Sequence, residues 1–306
     1  MFDITGKRYR FFLISGVVIL IGIISLAVSG LKLGVDFSGG SLLTLGFEQE
    51  VELVELRQEL DNLGYTSAIV QTTGKGDFLI RTSQLTASEK TQLKDELAAR
   101  FGPFEQRDFV DISPETAIQT ARIATIAIAI AAVGIMLYVT WAFRRMPKPF
   151  RYGTCAIVAL LHDALVALGV FSILGGILEW EVNLMFITGI LAVIGYSVNN
   201  TVVIFDRIRE NLLSGSSSSF ETVVNDSLVE SLTRSINTSL TTIIVVLALL
   251  LFVGSTIQSF SVVLLIGIIA GTFSSLFIAP SLLVVWENGE WRRFFRWLPL
   301  VKTSGR

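Results

Sequence analysis

The chain has 306 residues, 52% of them hydrophobic and only 16% charged, with a formal net charge of −2. Soluble domains are roughly a quarter charged, so this composition belongs to an integral membrane protein, and the basic footprint of nucleic-acid binding is missing. The lone Cys155 excludes an internal disulfide, and the lone His162 excludes HExxH zinc chemistry and any multi-histidine metal site. No GxxxxGK(S/T) phosphate loop occurs, and no nucleophile–base pair or catalytic dyad stands at a plausible depth. No cofactor, no metal and no enzymatic activity are expected.

The basic N-terminus (Lys7, Arg8, Arg10) leads into an apolar run, Phe11–Gly30, of about the 20 residues that cross a hydrocarbon core. A cleaved signal peptide would have a shorter apolar core, so an uncleaved first helix is the reading taken. From Leu31 to Pro114 the charges return. Ser41–Phe47 reads as a strand and Val51–Leu63 as a helix. Ser67–Thr72 and Asp77–Thr82 read as strands joined by a turn at Gly74-Lys75-Gly76. Thr86–Phe101 reads as a helix with a Thr86/Glu89 capping box, and Phe104–Val110 as a last strand. This βαββαβ order is the ferredoxin-like arrangement. Gly74–Asp77 also spells GxGD, a pattern of intramembrane proteases, but in a hydrophilic turn it carries no such meaning.

Membrane character resumes after Ser113-Pro114-Glu115, with candidate spans Ala121–Phe143, Gly153–Leu178, Asn183–Phe205, Ile236–Val253 and Ser261–Trp286. The expected fold is a polytopic α-helical membrane protein with six transmembrane helices. An extracytoplasmic α+β ferredoxin-like domain separates the first two. The expected divisions are 1–31 (cytoplasmic N-terminus and first helix), 32–117 (external domain), 118–290 (five-helix membrane domain) and 291–306 (cytoplasmic tail). Clusters Lys7/Arg8/Arg10, Arg144/Arg145/Lys148/Arg151, Arg207/Arg209 and Arg292/Arg293/Arg296 fall on one side if every span crosses. The opposite loops hold Glu179 and Glu181, or only Gly254–Ser259. By the positive-inside rule both termini are then cytoplasmic. A cytoplasmic linker, 206–235, contains the flexible Ser214–Ser219 tract. It also contains an amphipathic helix, Phe220–Leu232, expected along the membrane surface. Trp291–Arg306 mixes Trp, Phe and Arg as an interfacial anchor would.

Polar groups inside apolar spans are the candidate functional residues, since lipid offers them no partners. Val182–Asn211 carries Gly195, Ser197, Asn199, Asn200 and Thr201 in mid-span, then Asp206, Arg207, Arg209 and Glu210. Interhelical hydrogen bonding and an ion path both account for the amides. Asp163, beside His162 in the third span, should face the bundle with a partner, because a carboxylate at mid-bilayer costs about 2.5–3.5 kcal/mol on insertion scales. His162 has a chemistry that titrates near neutrality. Arg234 stands at the mouth of the fifth span among Thr233, Ser235, Asn237 and Thr238, a face that reads as wet. Asp206 and Arg207 read as interfacial, and Gly267 and Gly271 as a close-packing GxxxG.

Three segments resemble one family. GVDFSGGSLL (Gly34–Leu43) resembles the GxDFxGG motif of the SecD/SecF protein-export family. GYSVNNTVVIFDRIREN (Gly195–Asn211) is similar to the fourth-span signature of its SecF branch, and SLTRSINTSLTT (Ser231–Thr242) to the start of the next span. The family belongs to the resistance-nodulation-division superfamily. The resemblance implies an auxiliary export subunit in the cytoplasmic membrane of a bacterium, paired with SecD beside the SecYEG channel, with SecA upstream. It would act on exported polypeptides among membrane lipids, driven by the proton or sodium gradient. It further implies an ion path through an Asp in the fourth span and an Arg in the fifth. Arg234 retains the second; Asn200 replaces the first, and an amide cannot exchange a proton as a carboxylate does. Either Asp163 or a carboxylate of SecD then carries the ion, or the chain is uncoupled and chiefly holds SecD in position. Gly34, Gly39 and Gly40 read as a sharp membrane exit and hinge, with Asp36 bonding amides of its own turn. A stand-alone transporter half for lipids or small molecules is the alternative, disfavoured by the single small external domain.

Overall fold

The computed structural model describes residues 3–73, 76–178, 180–215, 219–252 and 257–290. A first helix, α1 (Arg8–Ser29), is followed by a single turn, α2 (Val35–Ser38). Then come β1 (Gly40–Phe47), α3 (Leu53–Asn62), β2 (Ile69–Thr72), β3 (Phe78–Thr82), α4 (Ala87–Phe101) and β4 (Phe104–Ile112). Five further long helical stretches follow: α5 (Pro114–Ala142), α6 (Phe150–Leu178), α7 (Leu184–Leu213), α8 (Phe220–Phe252) and α9 (Gln258–Phe273). The last continues through a π-helical turn (Ser274–Ile278) into α10 (Ala279–Glu287). Six helical stretches among the described residues are long and apolar enough to cross a membrane.

The β–α layer is the expected βαββαβ unit, an antiparallel sheet in the order β2-β3-β1-β4. Alternation along β1 turns Leu43 and Leu45 inward, to meet Ile80, Val70, Leu56, Leu60, Leu93 and Leu97 in one closed core. Thr86 and Glu89 form the reciprocal capping box that starts α4.

In the bundle, α6, α7 and α9 are the buried helices, while α1 turns Leu13, Val17, Leu20, Ile21 and Ile24 outward as a lipid-facing helix does. Small residues set the closest crossings. A Cβ on Gly169 of α6 would lie 2.6 Å from the Cα of Gly22 in α1. Next to that crossing, the hydroxyls of Ser25 and Ser172 bond at 2.9 Å. On the other side of α6, a Cβ on Gly189 of α7 would lie 2.8 Å from Val263 Cγ1 of α9, and one on Gly267 of α9 would run into Val193 of α7.

Three expectations change. Phe220–Leu232 is no separate surface helix but the first part of the 33-residue α8. Its apolar stripe, Val223, Val224 and Leu228, is buried against the bundle. It also continues opposite an extended α7, tied by Arg207 to Glu230 (2.6 Å) and Asn211 to Ser227 (3.0 Å). The sixth span holds as one stretch, Gln258–Glu287, but is not regular α-helix throughout: Pro280 has no N–H to give to the carbonyl four residues back, and a five-residue π turn accommodates it. Asp36 does not bond its own turn. That turn closes as helix α2, and Asp36 Oδ2 accepts from the Leu184 N–H, 2.8 Å away, at the start of α7. Gly74-Lys75, Glu179, the centre of the serine tract, the first half of Gly254–Ser259 and the Trp291–Arg306 anchor lie outside the described residues.

The Gly22–Gly169 crossing predicts that Gly169→Ala forces α1 and α6 apart. Overpacking of this kind costs about 1–3 kcal/mol. Thermal unfolding in detergent micelles should show a lowered Tm, with Gly16→Ala unchanged, since nothing lies within 4 Å of a Cβ at Gly16.

Candidate ion site in the membrane core

Asp163 lies in the middle of α6 and is 1% exposed. Two helical stretches converge on it. Ser197 of α7 donates its hydroxyl to Asp163 Oδ2 at 2.6 Å, and Ser274 of the π turn donates to the same oxygen at 2.9 Å. On its other side Asp163 Oδ1 lies 2.9 Å from Nδ1 of His162. Consecutive helical residues point about 100° apart and do not normally meet. Here the imidazole stacks on Phe273, centroids 6.2 Å apart at 23°, and that contact turns its edge back to the carboxylate.

The surroundings explain how a serine from each neighbour reaches one atom. Gly271 brings α9 so close to α7 that a Cβ there would lie 2.9 Å from Ser197 Cβ and 3.4 Å from Asp163 Oδ2. The π turn carries consecutive serines, 274 and 275, both fully buried. Ser275 bonds Thr201 Oγ1 at 2.8 Å and donates to the Ser197 carbonyl at 3.2 Å. The hydroxyls of Ser275 and Thr201 thus continue the cluster along α7, linked to Ser197 through its backbone carbonyl. Among the described residues no lysine or arginine pairs with Asp163, and no three His, Cys, Asp or Glu side chains gather to hold a metal.

The other expected residues are not brought to this point. Asn200 is half-buried, and its Nδ2 has no hydrogen-bond partner. Asn199 and Arg234 are exposed, and Asn237, Thr238 and Thr241 share the exposed side of α8 with Arg234 at spacings of three, four and seven. Asp206 pairs with Arg209 at 2.6 Å, and Arg207 with Glu210 and Glu230, both at 2.6 Å. These pairs sit on the α7–α8 hairpin, beyond the bundle core. Ser197 stood in the sequence as one polar residue among several. Ser274, Ser275 and the π turn were missed, although Pro280 inside an apolar span was the available signal.

A second polar cluster joins the sheet to the bundle. Arg81 of β3 donates to Glu181 (2.7 Å), to the Leu33 carbonyl (2.6 Å) and to Ser38 (2.6 Å). Leu33 and Val182 form a parallel bridge, with Gly34 N–H on the Val182 carbonyl and Val182 N–H on that of Lys32. Gly39 and Gly40 have φ of 75° and 119°, and a Cβ on Gly40 would lie 2.5 Å from the Thr82 carbonyl oxygen, so both need glycine. Gly34 has an ordinary φ of −70° and leaves room instead, since its Cβ would lie 3.2 Å from Asn183 Cβ. Asn183 and Asp36 together satisfy N–H groups at the start of α7. These contacts join the sheet layer to the helix that carries Ser197.

Six spans with one α+β layer after the first define a multi-pass membrane protein of the resistance-nodulation-division type. A family model for the C-terminal part of the SecD/SecF protein-export membrane proteins matches residues 92–289, and one for the SecD/SecF GG motif matches residues 24–51. A protein translocase subunit SecF from Thermobaculum terrenum is 43% identical over 97% of this chain and 97% of its own. The SecDF subunit of Bacillus subtilis is 34% identical over 95% of this chain but only 39% of its own length. A crystal structure of SecDF, a translocon-associated membrane protein from Thermus, superposes with a TM-score of 0.82 at 29% identity, covering 94% of this chain and 39% of that one. The chain belongs to the SecD/SecF family and is a SecF-type auxiliary subunit of protein export, a multi-pass bacterial membrane protein. Against SecDF chains it spans about two fifths of the length, the 39% matched.

Burial is the largest influence on Glu181; it outweighs the opposing Arg81 hydrogen bond and pushes the carboxyl above its usual range. A carboxyl raised by folding contributes stability that is full below its unfolded pKa and is lost as pH rises through its folded value. Glu181→Gln keeps a neutral side chain at every pH. Its Tm should match wild type near about pH 4 and exceed it near about pH 8, read by thermal unfolding at both.

Proposed function

We propose that this chain pairs with a SecD half beside the SecYEG channel, downstream of SecA, and uses the ion-motive force to help draw exported polypeptides outward. The observation that carries the coupling role is the 1% exposed Asp163 carboxylate, held by two serine hydroxyls and paired with no lysine or arginine among the described residues. A buried carboxylate in that state changes charge when it takes or loses an ion, and its helices respond. In this reading Asp163 takes the role that the family gives to the carboxylate replaced here by Asn200. The exposed Arg234 and Asn199 belong to the α7–α8 side turned to SecD, where a partner supplies what they lack, while the Asn200 Nδ2 is buried within this chain.

Four basic clusters on one side of the spans support cytoplasmic termini and an external sheet layer. The Arg81–Glu181 pair and the Asp36 contact with α7 then form the mechanical link between ion site and external layer. Gly34, Asp36, Gly39 and Gly40 act as a pinned hinge: conformationally permissive, yet tied to α7 at one point. The role is transport, with no catalysed covalent step.

The test is protein translocation into vesicles carrying this chain with its SecD partner, with and without an imposed ion gradient. Asp163→Asn should lower the gradient-stimulated component at least about tenfold, as for loss of an interaction of about 1.4 kcal/mol or more, with SecA-driven translocation retained. Undiminished gradient stimulation in Asp163→Asn would reject the assignment.

A further inference from the structure

His162 is the only histidine in the chain, is 7% exposed, and spends its Nδ1 on the one carboxylate inside α6. Among the described residues, only serine hydroxyls share the carboxylate with it. Ser197, Ser274 and Gly271 are the other residues facing Asp163 Oδ2, and Phe273 covers the imidazole. No Asp, Glu, Lys or Arg occurs in α1 after Arg10, in α5 after Arg122, in α7 before Asp206, or from Gln258 to Trp286. After Glu230, α8 carries only Arg234, which is exposed. Tyr196 of α7 turns its hydroxyl to Ser239 of α8, 3.1 Å away, and Tyr152 of α6 stacks on Phe143.

We infer that His162 and Asp163 form a single proton-binding unit, so that the ion accepted at this site is a proton and not sodium. This rests on the coupling role proposed for Asp163 and names its ion and its second member. The balance is simple. With one proton on the imidazole and the carboxylate ionised, the pair carries a net charge of −1. One proton taken from water at the imidazole gives imidazolium and carboxylate, or equivalently imidazole and carboxylic acid across the Nδ1–Oδ1 contact, with net charge zero. Release reverses the step, and no other bond changes.

The geometry favours a proton over sodium. The hydroxyl oxygens approach Asp163 Oδ2 at 2.6 and 2.9 Å, the spacing of O–H···O hydrogen bonds. A hard cation must instead collect several oxygens around itself, and one side of this carboxylate is occupied by a nitrogen that becomes cationic on protonation. Ser197 and Ser274 donate to one carboxylate oxygen while the imidazole nitrogen meets the other, so the pair is enclosed by hydrogen-bonding groups of a size that suits a proton.

Because there is one histidine, a [15N]histidine label reports this site alone. The full-length chain, purified through a histidine-free tag and placed in lipid nanodiscs, is titrated over about pH 5–9, the range open to a histidine, with His162→Gln confirming the signal. Wild type should show both ring nitrogens titrating together, with no change when sodium replaces potassium. Asp163→Asn should lower the midpoint by at least about one unit, a tenfold weaker hold on the proton. Ser197→Ala and Ser274→Ala should raise it, because the anion loses its donors; these variants also serve if Asp163→Asn does not fold. A single tautomer unchanged across the range, a midpoint indifferent to Asp163→Asn and the serine variants, or displacement of the midpoint by sodium would overturn the proposal. The titration requires no export assay, so its result stands apart from that of the translocation experiment.

Discussion

A carboxylate among apolar helices must be neutralised, paired or hydrogen-bonded, and the centre of this bundle is arranged around that requirement at Asp163. Its oxygens take a serine from α7, a serine from the π turn and a histidine from their own helix. Each of those contacts depends on a backbone feature. Gly271 permits the approach of α9, the π turn places two serines inward, and Phe273 holds the imidazole edge. Replace any of these with a large apolar residue in regular helix, and the carboxylate loses a partner that lipid does not replace.

The same constraint connects the core to the exterior. Ser197 sits on α7, whose first turn is held by Asn183 and Asp36. Asp36 lies in the exit segment, which Arg81 ties to both Glu181 and Ser38. Cores and interfaces packed this closely shift between discrete arrangements more readily than they stretch. In the proposed coupling, a change of charge at Asp163 that moves Ser197 has a packed route through α7 and the exit segment to Arg81 on β3, an inner strand of the sheet. The exit segment is accordingly tied to α7 and to β3 and does not hang free.

Much of this was legible in the sequence, because the two periodicities are strong and spatially separate. Leu43 and Leu45 alternate, Leu56 and Leu60 recur at helical spacing, and the sheet forms the βαββαβ unit those patterns specify. The six spans follow from length and hydropathy alone. The linker helix was misread since an amphipathic stripe cannot say whether it faces lipid headgroups or a neighbouring helix; Val224 and Leu228 face the bundle. Asp163 stood out as a charge in hydrocarbon. Its partners did not, because a serine in a membrane helix is common and only the fold brings residues 163, 197 and 274 to one point. Asn200 shows the opposite limit: a family motif marks its position, while the structure leaves its amide without a partner.

The central claim is that the exchangeable charge of this chain resides at Asp163. Infrared difference spectroscopy across a pH jump, on the chain reconstituted with its SecD partner, tests it directly by reporting carboxyl groups as they gain or lose a proton. The account predicts difference bands of the Asp163 carboxyl or carboxylate and its imidazole partner that vanish in Asp163→Asn and survive in Asn200→Gln. A difference spectrum unchanged by Asp163→Asn would contradict it.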